Sequence, residues 1–330
     1  MRKYDGAYGG ISVLKTLLLS NGTIAKMSNK KMEEFVAQLY DTEYKKELDK
    51  LSVFFSGPDL IEAVASNHMA LMLNELKAVL PLSVQNLITA YYMKYDIENI
   101  KAIISAKLLG YDTKKLITML TSSEYTIGLI KSKDLSAMAE ESLDEIIKRL
   151  QKFTYGRVIA AYEKEIQEGI LTGMDFALDL FYFNNLLNEA KKSKSNVEDF
   201  VMDIIDKQNI MAIIKGISAT QSFESLEKYI IKGGNIKIAK LQALAEAGMP
   251  KLLELLPFDI GEAKQKYEIS GKLEEIETAM TRSIYSNYIK KFESMPRTLE
   301  FIFGFIMEIE RERYNVRAIG YSNYYNLNVI

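Results

Sequence analysis

Cysteine is absent from this 330-residue chain, and histidine occurs once. Without cysteine there is no disulfide, no thiolate nucleophile and no Cys-ligated zinc, a pattern that fits a reducing compartment such as the cytoplasm. The one histidine, His68, cannot assemble a zinc site alone and has no cysteine to activate. It reads as a satisfied or solvent-facing side chain. Proline is scarce, and none lies between Pro81 and Pro250. Nothing of that kind forces a helix to break across this stretch. A charge excess is missing as well, since 42 basic and 44 acidic residues leave a net charge of -2. Most nucleic-acid affinity comes from neutralising phosphates, so this balance argues against a nucleic-acid partner. Long apolar runs are missing too. Residues 301–307 form one of the longest, far short of the ~20 residues that cross a bilayer. The first residues, MRKYDGAYGG, lack an apolar core, so no secretory signal is expected. No Gly-x-x-x-x-Gly-Lys-Ser/Thr phosphate loop occurs, and Lys232-Gly233-Gly234-Asn235 reads only as a turn.

What remains is helix after helix. Hydrophobic residues make up 48% of the chain, enough for a sizeable core. In residues 83–109 the apolar positions include Leu87, Ile88, Tyr91, Tyr92, Tyr95, Ile100, Ile103, Ile104 and Leu108. That is a stripe of period 3.6 and not the alternation of a strand. Ser83 is placed to cap this helix and Gly110 to end it, with Asp112 capping another through residue 120. Ser142 and Glu145 have capping-box spacing ahead of Ile146, Ile147 and Leu150. Breaks are expected at Asn21-Gly22, Ser56-Gly57-Pro58, Lys232 to Asn235, Gly248-Met249-Pro250 and Met295-Pro296.

One octapeptide pattern occurs three times. Asp96-Ile97-Glu98-Asn99-Ile100-Lys101-Ala102-Ile103 is followed by Asp206-Lys207-Gln208-Asn209-Ile210-Met211-Ala212-Ile213. The third copy is Glu312-Arg313-Tyr314-Asn315-Val316-Arg317-Ala318-Ile319. The shared form is acidic, two variable, Asn, β-branched, one variable, Ala, Ile. Its near-equal spacing divides the chain into three tandem all-α helical units, residues 1–110, 111–218 and 219–330. Such units are larger than the short repeats of common solenoids. A weaker echo links Leu39-x-x-Thr42-Glu43-Tyr44 to Leu120-x-x-Ser123-Glu124-Tyr125. Asparagine is unfavourable inside a helix and needs partners when buried. Asn99, Asn209 and Asn315 are therefore read as buried packing residues that bond a connector or helix end; the alternative is a ligand site. Asp96, Asp206 and Glu312 lie on the same helix face as their asparagines.

Other candidates for chemistry are few. Asp175 and Asp179 stand one turn apart and could share a cation, or form a solvated face. Tyr91-Tyr92-Tyr95 and Phe181-Tyr182-Phe183 read as core and not as base-stacking platforms. Lys191, Lys192 and Lys194 read as a solvated connector. Arg311, Arg313 and Arg317 share a helix with Glu308, Glu310 and Glu312. Arg313 and Arg317 are candidate interface residues, the alternative being pairs within that helix. No catalytic, cofactor-binding or metal-binding residue set is assigned.

The repeated pattern resembles one family, the central-stalk C subunit of archaeal A-type ATP synthases, related to the d subunit of eukaryotic V-type enzymes. Leu39-x-x-Thr42-x-Tyr44 resembles an early segment of that family. Tyr95 to Lys107 and Ile306 to Ile319 resemble its D-x-x-N-L-K and E-x-E-x-x-N-I-R segments. Two departures are visible: Ser105 stands where the family often has Arg, and the tail from Tyr321 lacks a charged continuation. The resemblance implies a pseudo-threefold funnel of helical domains. It implies a non-catalytic rotor subunit on the cytoplasmic face of the membrane, peripheral, without a cofactor. Its partners would be the membrane rotor ring and the central shaft. A helical-repeat scaffold for other proteins is the alternative.

Overall fold

A computed structural model describes residues 4–325, apart from 114–115, 118–119 and 122–123. The helix expected through residue 120, Ser123 of the weaker echo, and the tail beyond 325 lie wholly or partly outside the described residues. Every regular element among the described residues is helical. Contacts between Cα atoms divide the chain into two compact units, residues 4–182 with 305–325, and residues 183–304.

The long helices follow from local chemistry. Gly57–Val79 opens on a left-handed glycine, with Gly57 at φ +57°, and carries Pro58 in its first turn, where a missing N–H costs nothing. It ends at Leu80, whose extended backbone is what a following Pro81 demands. Gln85–Leu108 then runs through the first motif. Its start differs from expectation, because Ser83 sits inside a short 3-10 turn, Leu82–Val84, and caps nothing. Its end is as read from the sequence. Gly110 is left-handed, the Tyr111 N–H donates to Ala106 O at 2.9 Å, and the Gly110 N–H donates to Lys107 O at 3.2 Å. These two bonds satisfy carbonyls that the helix leaves open. The second motif helix, Val197–Ser218, ends in the same way, with Thr220 left-handed in the role of Gly110. The Ser142–Glu145 capping box is present ahead of Leu143–Leu150. Asn21-Gly22 is no break: Ser20 caps a helix that runs Asn21–Met27 through both residues.

In the first unit, Met27, Phe35, Leu39, Tyr44, Leu48 and Ile61 form one buried cluster with Val316 and Ile319. Sequence-distant ends of the chain thus share a core. Gly320 permits this approach, since a Cβ there would come within 2.7 Å of the Ile61 side chain and 3.2 Å of the Phe35 ring. In the second unit, Ile210, Ile213 and Ile214 pack with Phe223, Leu241, Leu252 and Ile276. Phe200 and Phe292 both meet Tyr288 edge-on, at 5.3 Å between centroids in each case.

Phe35 is fully buried in the cluster that joins the two chain ends. Phe35→Ala should cost about 3–5 kcal/mol. Urea unfolding followed by circular dichroism measures this, with a fall in the midpoint as the expected outcome.

Candidate functional site

The first two copies of the motif do the same physical task. Asn99 is buried, and its Oδ1 accepts the Thr121 N–H at 2.7 Å. Asn209 is buried, its Oδ1 accepts the Ile231 N–H, and its Nδ2 donates to Ile231 O, both at 2.8 Å. The bonded residue follows its asparagine by 22 positions in both copies. The acidic residues extend the pattern. Asp96 accepts the N–H of Leu129 at 2.6 Å and of Ile130 at 3.3 Å. Asp206 accepts the N–H of Asn235 at 2.8 Å and of Ile236 at 3.1 Å. In each copy a rigid helix delivers an amide and a carboxylate beneath a connector, and they take backbone donors that no helix pairs. A glycine allows the close approach in each: a Cβ on Gly128 would collide with Asp96, and one on Gly234 with Asp206.

Burial raises both carboxyl pKa values, against the opposing pull of these hydrogen bonds. Asp96 is pushed up to about 6. The Tyr155 hydroxyl also donates to Asp96, at 2.7 Å.

The third copy departs from this geometry. Glu312 is buried, and its longer side chain reaches two donors, the Leu19 N–H at 2.5 Å and the Tyr44 hydroxyl at 3.1 Å. Asn315, however, is only half-buried, and no bond from its side chain to a connector occurs among the described residues. Connector capping passes to Asn323, two turns further along the same helix. Asn323 accepts the Lys30 N–H at 3.2 Å and donates to Met27 O at 3.0 Å. The octapeptide gave no hint of this, because Asn323 lies in the tail that follows it.

On the same helix, Leu299–Tyr325, Glu308, Glu310 and Glu312 each go to different partners. Glu308 holds the Lys15 ammonium at 2.9 Å. Glu310 receives the hydroxyls of Tyr91 and Tyr95 and the Lys94 ammonium, the last at 2.6 Å. Arg313 and Arg317 do not take the alternative of pairing within this helix but bond to another segment, while Arg311 stays in electrostatic reach of Glu312. Arg313 donates to Ser66 Oγ at 3.1 Å and to Glu62 at 3.3 Å, and Arg317 donates to Glu62 at 2.5 Å. Both arginines are therefore engaged inside the unit. Long spacing between partners hides such contacts from a sequence reading; only the alternation of Glu and Arg marks them.

His68 is neither satisfied nor solvent-facing. It is buried, and among the described residues neither ring nitrogen has a hydrogen-bond partner. Its ring lies on that of Tyr44, with centroids 4.0 Å apart, and Nε2 stands 3.9 Å from Glu312. Burial lowers its pKa to about 4, so the ring is neutral at pH 7, and burial raises Glu312 to about 7. Asp179 holds Lys101 at 2.6 Å. Among the described residues, no three His, Cys, Asp or Glu side chains come together as a metal-binding group. Tyr91, Tyr92 and Tyr95 are buried core residues.

This arrangement defines an all-helical packing protein in which Asp96, Asn99, Asp206, Asn209 and Glu312 are bonded to the chain's own backbone. Comparison with known proteins places it further. The model of the ATP synthase (C/AC39) subunit family matches residues 7–329. The A-type ATP synthase C subunit of Thermoplasma acidophilum is 30% identical over 97% of this chain and 94% of its own length. The Thermoplasma volcanium protein of the same name is 29% identical, over 96% and 93%. That of Methanocaldococcus jannaschii is 26% identical, over 87% and 74%. The chain belongs to the ATP synthase (C/AC39) subunit family.

Two outcomes follow from the buried groups. Asn209→Leu strands the backbone N–H and C=O of Ile231 and should cost about 1–3 kcal/mol, whereas Asn315→Leu should cost well under half of that. Thermal unfolding of the two variants side by side measures the difference. The second outcome concerns pH. Glu312 has a raised pKa in the folded state, so its contribution is complete below its ordinary value of 4.5 and is lost as pH rises through about 7. His68 contributes with the opposite sense, its stabilisation present above 6.5 and lost as pH falls through about 4. Between pH 5 and pH 8 the Glu312 loss, on the order of 2–3 kcal/mol, is largely offset by the His68 gain, so Glu312→Gln should gain stability relative to the unaltered chain by that amount as pH rises. Denaturant titrations at the two pH values test this; the same change with pH in both proteins would contradict it.

Proposed function

We propose that the chain is a non-catalytic central-stalk subunit of an A-type or V-type rotary ATPase. In this role it couples a membrane rotor ring to the central shaft and transmits torque. The observation that carries the reading is the family match along nearly the whole chain, together with relatives named as the C subunit of A-type ATP synthase. The physical character of the molecule supports it. Torque transmission requires a stiff body with anchored connectors and needs no nucleophile, base or metal. The buried Asp96, Asn99, Asp206, Asn209 and Glu312 side chains provide such anchors.

The proposal includes three helical units, residues 1–110, 111–218 and 219–330, arranged as a pseudo-threefold funnel. Its support is the common task of the first two motif copies and their matching helix ends at Gly110 and Thr220. The site of action is the cytoplasmic face of the membrane, peripherally. No helix among the described residues is long and apolar enough to cross a bilayer, so attachment runs through the ring. Arg313 and Arg317 remain candidate contacts, with Glu62 offsetting part of their charge.

The test is a pull-down of the purified, folded chain with ring and shaft subunits of the same complex. The expected result is retention of both. Retention of neither, with an intact helical circular dichroism spectrum, would overturn the proposal and leave a general helical scaffold.

A further inference from the structure

The two well-matched copies of the motif differ on their open side. Beside Asp96 and Asn99 only about 10 Å³ is left between the helix and its connector, and Tyr155 occupies the Asp96 carboxylate. Beside Asp206 there is instead a cleft of about 610 Å³, contained within residues 203–291. That volume lies in the range of sites that hold ligands or inserted side chains.

Three lysines and two aspartates line this cleft, an excess of one positive charge. The oxygens of Asp203 and Asp206 are engaged in hydrogen bonds of the fold. Asp203 accepts from Asn235 Nδ2 at 2.9 Å and from the Tyr288 hydroxyl at 2.7 Å, while Asp206 takes the backbone N–H groups of Asn235 and Ile236. The lysines are held less tightly, although Lys240 lies within electrostatic reach of Asp206. Lys237 and Lys240 are exposed on the cleft and form no ion pair among the described residues. Lys291 pairs loosely with Asp199, at 3.7 Å with both side chains about half exposed, and stands 5.7 Å from the centroid of the Tyr288 ring. Phe258, Ile284 and Tyr288 also line the cleft and are more buried than the lysines, so they form its apolar floor. The cleft therefore offers exposed ammonium groups together with an apolar seat.

We propose that this cleft is a docking surface for an acidic segment of a partner protein, which places an apolar or aromatic side chain on the floor and carboxylates against Lys237, Lys240 and Lys291. Lys237 and Lys240 stand at the start of the helix Ile238–Glu246 and Lys291 near the end of Leu273–Glu293, a spread over two segments that favours several carboxylates on a peptide over one compact anion. A phosphate group would need donors that converge on a point. The cleft has these features whichever complex the chain joins.

The test uses the full chain and a fluorescein-labelled peptide, Glu-Glu-Tyr-Glu-Glu-Leu, followed by fluorescence anisotropy. Saturable binding with Kd below about 1 mM is expected, weakening as salt is raised. Lys237→Glu with Lys240→Glu should weaken it by about tenfold or more. Both residues are exposed, so folding should be retained, and circular dichroism checks this. Lys164→Glu with Lys272→Glu makes the same charge change at exposed positions outside the cleft and should leave binding unaltered. Three results would each overturn the proposal. One is no saturable binding, and another is equal weakening by both double variants. The third is full displacement of the peptide by inorganic phosphate at matched ionic strength, which would make the cleft a simple anion site.

Discussion

Backbone N–H groups in connectors between helices have no helical partner, and a buried one left unpaired costs as much as a lost hydrogen bond. The architecture rests on how this chain meets that constraint. Its long helices bring an amide or carboxylate beneath three connecting stretches: Asn99 and Asp96 under residues 121–130, Asn209 and Asp206 under residues 231–236, and Glu312 and Asn323 at the two ends of the helix Asn21–Met27, on Leu19 and on Met27 and Lys30. Burial makes these groups costly if unsatisfied, and that cost fixes the connector against the helix. Glycine is retained where a side chain would collide with the carboxylate, at Gly128 and Gly234. Connectors of this kind behave as extensions of the helices.

A protein built this way has little spare polar chemistry. Glu308, Glu310, Arg313 and Arg317 bond to Lys15, Tyr91, Tyr95, Lys94, Ser66 and Glu62. Each of these partners is more than 200 positions away in sequence, so the last helix fastens elements laid down early in the chain. A molecule that passes force between partners benefits from such long-range fasteners, because they leave few soft joints. The cleft beside Asp206 is the place where the same motif is left open.

Much of this was legible in the sequence. The 3.6-residue stripes marked the helices, Gly110 marked a helix end, Ser142 and Glu145 marked a capping box, and Asn99 and Asn209 marked buried packing residues with backbone partners. The third copy was not legible at the same level. Glutamate at position 312 is longer than aspartate and reaches Leu19 and Tyr44 directly, so Asn315 has lost the role its sequence pattern suggests, and Asn323 has taken it up. His68 misled for a related reason: composition predicts that a buried histidine will be satisfied, whereas this one is held by stacking on Tyr44 and kept neutral by burial. The destinations of Arg313 and Arg317 depend on Glu62, whose place opposite them no local pattern encodes.

The claim that buried side chains, and not helical pairing, hold the connectors is open to direct measurement by amide hydrogen exchange. The N–H groups of Thr121, Leu129, Ile231, Asn235 and Ile236 lie outside helices, and each donates to one of the motif side chains. The account predicts slow exchange at these five sites, with protection of ~100-fold or more over an exposed connector. It further predicts that Asn209→Leu removes the protection at Ile231 while leaving that at Thr121 intact. Exchange of these five amides as fast as an unstructured peptide would contradict it.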